Sequence, residues 1–212
     1  MTRPLSLLLA LLICATSPAL AQSFDDAMAA FTRKDFTTAL SLAKPLATKG
    51  EPAAMAMLGA LYQQGSGVKA NAAEAFKWFK AAAEKDHAGA QYSLALYYLN
   101  GGPVKPDAAR ARQWMDKSAR AGNPLAQLAM GQFATDESDW PQAAQWFTLA
   151  AAHDLPEAQY QLGLLYQDGR GVQRDAVRAG ELFQKAAMQG NADAALDYGI
   201  IVFRGDGVVR NE

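Results

Sequence analysis

Several short stretches of this 212-residue chain hold side chains that could do chemistry. Ser41-Leu42-Ala43-Lys44 fits Ser-x-x-Lys, in which a neighbouring lysine helps to make the serine an acyl-accepting nucleophile. Its companion motifs, Ser-Asp-Asn and Lys-Thr-Gly, are absent; Ser138-Asp139 is followed by Trp140. Two fixed positions in four residues arise readily by chance on a helix rich in Ala, Lys and Ser. Gly65-Ser66-Gly67-Val68-Lys69-Ala70 fits a dinucleotide fingerprint, which needs a strand before it and a helix N-terminus under the pyrophosphate. Here a helical pattern precedes it, and the stretch recurs as a turn. Asp136-Glu137-Ser138-Asp139 gathers carboxylates in a setting that suits solvated surface and helix capping better than a cation site.

His87 and His153 are the only histidines, and neither has a second histidine at i+3 or i+4. The adjacent Asp86 and Asp154 do not have metal-site spacing. Their expected role is to cap helix C-termini and offset the dipole. No nucleophile, base and acid assemble into a set. The residues therefore predict no catalytic centre, no cofactor and no metal.

The elements that would hold these residues repeat. An Ala-x-x-x-Leu-Gly-x-x-Tyr block, a Gly-x-Gly-Val turn and a second helical block follow one another from Ala158 to Asn191. The opening alanine recurs at Ala54, Ala90, Ala126, Ala158 and Ala194, in steps of 36, 36, 32 and 36 residues. A fixed period of this size signals a stacked array. Ala54, Leu58, Leu61 and Tyr62 fall on one helical stripe. Inside that helix a glycine recurs at 59, 131, 163 and 199, with Ala95 once. Mid-helix glycine costs about 1 kcal/mol against alanine, so its recurrence predicts a partner helix too close for a larger side chain. Asn71 and Asp175 stand where they would cap second helices.

These blocks resemble the Sel1-like repeat, a relative of the tetratricopeptide repeat. The resemblance rests on Leu58-Gly59-Ala60-Leu61-Tyr62 with Gly65-Ser66-Gly67-Val68, and on Leu162-Gly163-Leu164-Leu165-Tyr166 with Gly169-Arg170-Gly171-Val172. The second-helix pattern is met by Ala75/Trp78/Phe79/Ala82/Ala83, by Ala111/Trp114/Met115/Ser118/Ala119 and by Ala143/Trp146/Phe147/Ala150/Ala151; Leu182 replaces the tryptophan in the fourth copy. It implies an all-α fold, an α-α superhelix of stacked helix pairs, over residues 52–87, 88–123, 124–155, 156–191 and a partial 192–212. The aromatic residues of the second helices then serve as inter-repeat core. Residues 22–51 read as a degenerate, tetratricopeptide-like pair capping the array. They share with the third copy a short turn that lacks the glycine loop.

Residues 1–21 read as a secretory signal peptide. Arg3 gives the positive start, Leu5 to Ala15 the apolar run, and Ala19-Leu20-Ala21 the cleavage site. The run is too short for a stable membrane span, which needs about 20 apolar residues. Bulky Ile13 before Cys14 argues against lipid attachment. Cleavage after Ala21 leaves no cysteine, and the expected destination is periplasmic or secreted. Losing Arg3 leaves 19 basic against 21 acidic groups, which offers nothing to nucleic acid.

The resemblance also implies non-catalytic work: holding another protein or peptide in a concave groove lined by first helices. That face comprises Tyr92, Leu96 and Asn100, then Leu128 and Gln132, then Tyr160, Leu164, Gln167 and Asp168, then Leu196 and Arg204. Self-association through the C-terminal end is a further expectation, because Ile200, Ile201, Val202, Phe203 and Val208 would be short of cover. The alternative reading is an envelope hydrolase or β-lactam-binding repeat protein using Ser41.

Overall fold

The computed structural model describes residues 23–205, which form eleven α-helices and, among the described residues, no strand. The expected signal peptide, with Cys14 and Ala19-Leu20-Ala21, and the segment 206–212 lie outside that range. The helices are α1 (Phe24–Thr32), α2 (Phe36–Thr48), α3 (Pro52–Gln64), α4 (Ala72–Ala83), α5 (Ala88–Asn100), α6 (Ala108–Arg120), α7 (Pro124–Asp136), α8 (Trp140–Ala151), α9 (Pro156–Asp168), α10 (Ala176–Met188) and α11 (Ala192–Arg204). Odd-numbered helices open each copy and even-numbered ones close it. Each packs on its sequence neighbours, so the stack grows in one dimension.

Local chemistry starts every second helix. Asp35, Asn71, Asp107, Asp139 and Asp175 each accept a hydrogen bond from a backbone N–H in the first turn. Each satisfies a donor that the helix cannot pair internally. Pro52, Pro124 and Pro156 start three of the first helices, where a missing N–H costs nothing.

The glycine inside the first helix sets the spacing of each pair. A Cβ added at Gly59 would lie 2.7 Å from the Phe79 ring, and one at Gly163 2.6 Å from the Phe183 ring. Gly131 meets Phe147 in the same way. Contacting carbons sit about 3.5–4.0 Å apart, so any side chain there would force the pair open. The second copy solves the problem from the other side. Ala95 replaces the glycine, and Met115 replaces the phenylalanine; both are buried in one cluster. A thin, flexible thioether leaves the room that a rigid ring takes.

The glycine loops do more than reverse the chain. Gly67 (φ +70°) and Gly171 (φ +69°) press against the starts of α2 and α8, at the backbones of Phe36 and Trp140. Both receiving helices belong to the short helix pairs, so a loop of one copy seats on the second helix of the copy before it.

His87 corrects one expectation. It does not cap a helix C-terminus; its Nδ1 accepts from the Ala90 N–H at 3.2 Å and caps the N-terminus of α5. Asn123 and Asn191 do the same for α7 and α11. Burial holds the imidazole below its ordinary value of 6.5, and only the neutral ring can accept at Nδ1.

Two predictions come from this packing. Gly163→Ala gains helix propensity of about 1 kcal/mol but overpacks the pair at a cost of about 1–3 kcal/mol, so chemical denaturation should show a net loss. Adding Phe183→Met should recover part of that loss, as a positive coupling in a double-mutant cycle. Gly199, with nothing within 4 Å of an added Cβ, should instead gain up to about 1 kcal/mol on Gly199→Ala. A stabilising Gly163→Ala would refute the close-approach account. The second concerns pH. Because the folded pKa of His87 is depressed, its contribution is fully present above the ordinary value of 6.5 and is lost as pH falls through the folded value. His87→Asn should therefore flatten the stability loss measured by denaturant titration between about pH 7 and pH 5. An unchanged slope would contradict the capping role.

Candidate functional site: the first-helix face

Among the first helices, α1 touches α3 and α3 touches α5. Every residue of the predicted groove lies on an odd-numbered helix.

The structure divides those residues into two sets. Tyr92, Leu96, Leu128, Tyr160 and Leu164 are half-buried and pack on the clusters between copies. The Tyr160 ring lies 5.6 Å from the Phe183 ring, and its hydroxyl donates to Asp197 at 3.1 Å. Burial and the nearby carboxylates push that phenol up to about 12. Asn100, Gln132, Gln167, Asp168, Leu196 and Arg204 are exposed. Gln167 and Arg204 come together with Arg174 and Asp197 around a small pocket of about 130 Å³ between α9, α10 and α11. On α11, Leu196 is 66% and Phe203 92% exposed, next to Ile200 and Val202, an apolar surface at the end of the described chain; Ile201, expected to lack cover, is instead buried against Ala179 and Phe183.

Two features escaped the sequence reading. Positions 56 and 60 correspond to Tyr92 and Leu96 one copy on, and to Tyr160 and Leu164 further along. In the first copy both are alanine. Beside these alanines lies a pocket of about 230 Å³ between α1 and α3, reaching His87 at the start of α5. Its signal was an absence of bulk, which periodicity does not register. The second feature is a buried glutamine beside the opening alanine: Gln91, Gln127 and Gln159. Gln91 and Gln127 donate from Nε2 to the carbonyls of Ala83 and Ala119, at the end of the preceding second helix. Gln159 donates to Asp154 and accepts from Gln189. These amides tie copies together and are structural.

The residues that could have carried chemistry are engaged otherwise. The Ser41 hydroxyl donates to the Thr38 carbonyl of its own helix at 2.9 Å. Glu137 forms a two-pronged ion pair with Arg112, which holds its carboxyl below the usual range, and Asp139 caps α8. Asp86 and Asp154 adopt left-handed turns with φ of 60° and 56°, a conformation that a short polar side chain tolerates. His153 is exposed beyond the end of α8. Among the described residues no group of His, Cys, Asp and Glu could hold a metal, and no helix is long and apolar enough to cross a membrane.

The Sel1 repeat profile matches residues 52–87, 88–123, 124–155, 156–191 and 192–212. A Sel1 repeat protein from Oxalobacter formigenes superposes with a TM-score of 0.77 at 28% identity, over 89% of this chain and 76% of that one. A protective antigen of uropathogenic Escherichia coli with the same repeat fold gives a TM-score of 0.76 at 30% identity, over 86% of this chain and 41% of that one. An immunity protein of Pseudomonas aeruginosa shares the fold at 20% identity, with a TM-score of 0.52 over 80% of this chain and 68% of its own. Among curated proteins, DAP3-binding cell death enhancer 1 of Rattus norvegicus is 37% identical over 71 residues, 32% of this chain. The match spans only 14% of that relative's length. Five matched copies, the interlocked glycines and rings, and the shared stack lead to one conclusion: the chain belongs to the Sel1 repeat family.

Proposed function

We propose that this protein is an exported scaffold that holds another protein or a peptide against its first-helix face. Sel1 repeats generally mediate contacts between proteins, and the proteins that carry them are generally non-catalytic. The observation that carries the reading is the exposed row Asn100, Gln132, Gln167 and Asp168 on the first helices, set over half-buried tyrosines and leucines. Amides and apolar rings side by side suit an extended or helical peptide, with a few side chains as anchors. The helix pairs are already ordered, so little conformational entropy is lost on binding. The DAP3-binding relative, described by its protein partner, fits this class of work. Export rests on Arg3, the apolar run and Ala19-Leu20-Ala21. The periplasm of a Gram-negative cell is the compartment these features suit.

Self-association has its own support in the apolar surface of α11, where Phe203 is almost fully exposed. Such a surface favours contact with a second apolar surface.

Each part has a test. Affinity capture from envelope extract should recover a discrete protein, and Gln132→Arg with Gln167→Arg should lose it while leaving the circular dichroism spectrum unchanged. Capture that survives the double substitution would move the site elsewhere. N-terminal sequencing of the accumulated protein should begin at Gln22; an intact Met1 would refute cleavage after Ala21. Light scattering should show mass rising with concentration and Phe203→Glu holding it at one chain. A monomer at all concentrations would dismiss self-association.

A further inference from the structure

We infer that the small pocket between α9, α10 and α11 binds a carboxylate of the partner peptide, with Arg174 and Arg204 as its counter-charges. This rests on the scaffold reading and names the chemical group recognised at the last described interface of the stack.

Four polar side chains reach the pocket of about 130 Å³: Gln167 from α9, Arg174 from the turn before α10, and Asp197 and Arg204 from α11. Ala179 and Ile201 add a buried apolar part. The lining therefore holds two positive charges and one negative. Its carboxylate is already engaged, since Asp197 accepts from the Tyr160 hydroxyl at 3.1 Å. Among the described residues neither arginine forms an ion pair, with Asp197 or with any other carboxylate. Arg174 is nonetheless held in place. Its Nε donates to the Gln167 carbonyl at 3.1 Å, and its Cβ lies against Gly169, 3.2 Å from where a Cβ of that residue would stand.

Packing does not call for these charges. The turn position of Arg174 is filled by Ala70 in the first copy and Pro106 in the second, each against the corresponding glycine, Gly65 or Gly101. The position of Arg204 is Asn100 in the second copy and Asp136 in the third. Earlier interfaces thus pair Ala70 with Asn100 and Pro106 with Asp136, and only the interface of the fourth and fifth copies pairs two cations. An excess of one positive charge matches one carboxylate. A phosphate dianion would turn the lining net negative and set its second charge against Asp197. Guanidinium groups offer forked N–H donors that suit the two oxygens of a carboxylate. The volume equals that of roughly four waters at about 30 Å³ each, room for a carboxylate and the carbons next to it. A peptide brings the group in two ways, as its C-terminus or as an Asp or Glu side chain. Either comes with a backbone N–H for which Asp197 is an acceptor.

The test titrates three probes into the purified protein. N-acetyl-L-alanyl-L-alanine carries a terminal carboxylate, N-acetyl-L-glutamic acid α-amide a side-chain one, and N-acetyl-L-alanyl-L-alaninamide none. The readouts are the NMR signals of the Arg174 Nε–H and the Ile201 δ-methyl. A carboxylate probe should shift both with saturation while the neutral amide leaves them still, and the tighter of the two carboxylates identifies the source. Arg174→Gln and Arg204→Gln, both at exposed positions, should leave the circular dichroism spectrum unchanged. Each should weaken the probe about tenfold, read at Ile201. Arg204→Lys keeps the charge without the fork and should recover only part of that loss. Signals unmoved by both carboxylates would overturn the proposal. So would equal shifts in the double glutamine variant, or inorganic phosphate binding more tightly than either carboxylate. The scaffold reading is judged separately. A partner captured equally well by wild type and by the double variant would sink the pocket and spare the scaffold. Saturable carboxylate binding with no captured partner would leave the pocket standing and count against the scaffold.

Discussion

The contact between a backbone glycine and a phenylalanine ring fixes the distance between the two helices of each copy, and the rest of the array depends on that distance. Gly59 on Phe79, Gly131 on Phe147 and Gly163 on Phe183 are the same contact made three times. Each gives up about 1 kcal/mol of helix propensity in return for a ring seated directly on a helix backbone. The second copy keeps the spacing with Ala95 and Met115, trading backbone room for side-chain flexibility. With pairs this thin, the half-buried tryptophans of α4, α6 and α8 can reach the clusters between copies. The Trp114 side chain belongs to two such clusters at once.

Both helices of a pair feed the core: second helices bring Phe147, Phe183 and Met115, and first helices bring Leu58, Leu61 and Leu94. First helices also set a small residue against the rings and carry a stripe of varied side chains. Where that stripe carries Tyr and Leu, neighbouring copies close over it. Where it carries Ala56 and Ala60, a cavity opens. Where it carries Asn100, Gln132 and Gln167, polar groups stand in solvent. The stripe therefore varies from copy to copy without disturbing the interlock that holds the stack together.

Much of this was legible in the sequence because it is periodic. The recurring glycine announced a close approach, which holds at Gly59, Gly131 and Gly163 and not at Gly199; its partner, the phenylalanine ring, had read only as core between copies. Asn71 and Asp175 announced their helices, since a capping side chain is read by position alone. His87 falls in the register of Asn123 and Asn191, yet its role was assigned to the wrong helix end. Histidine can serve either end, as an acceptor when neutral or as a cation when charged, and only burial decides. The buried glutamines were invisible because nothing in a polar residue on a helix tells whether a carbonyl of the previous copy awaits it. The pocket was invisible for a related reason. Alanine fits any helix, and a cavity is defined by what three separate helices leave out.

The central claim is that a partner protein lies against the first-helix face. The most direct measurement is photocrosslinking in intact cells, with a photoreactive phenylalanine analogue placed at Gln132 on α7 or at Gln145 on α8. Both positions are exposed, and they sit on a first and a second helix respectively. The account predicts a discrete protein adduct from position 132 and none from position 145. An adduct from position 145 with none from position 132 would contradict it, and would put recognition on the second helices.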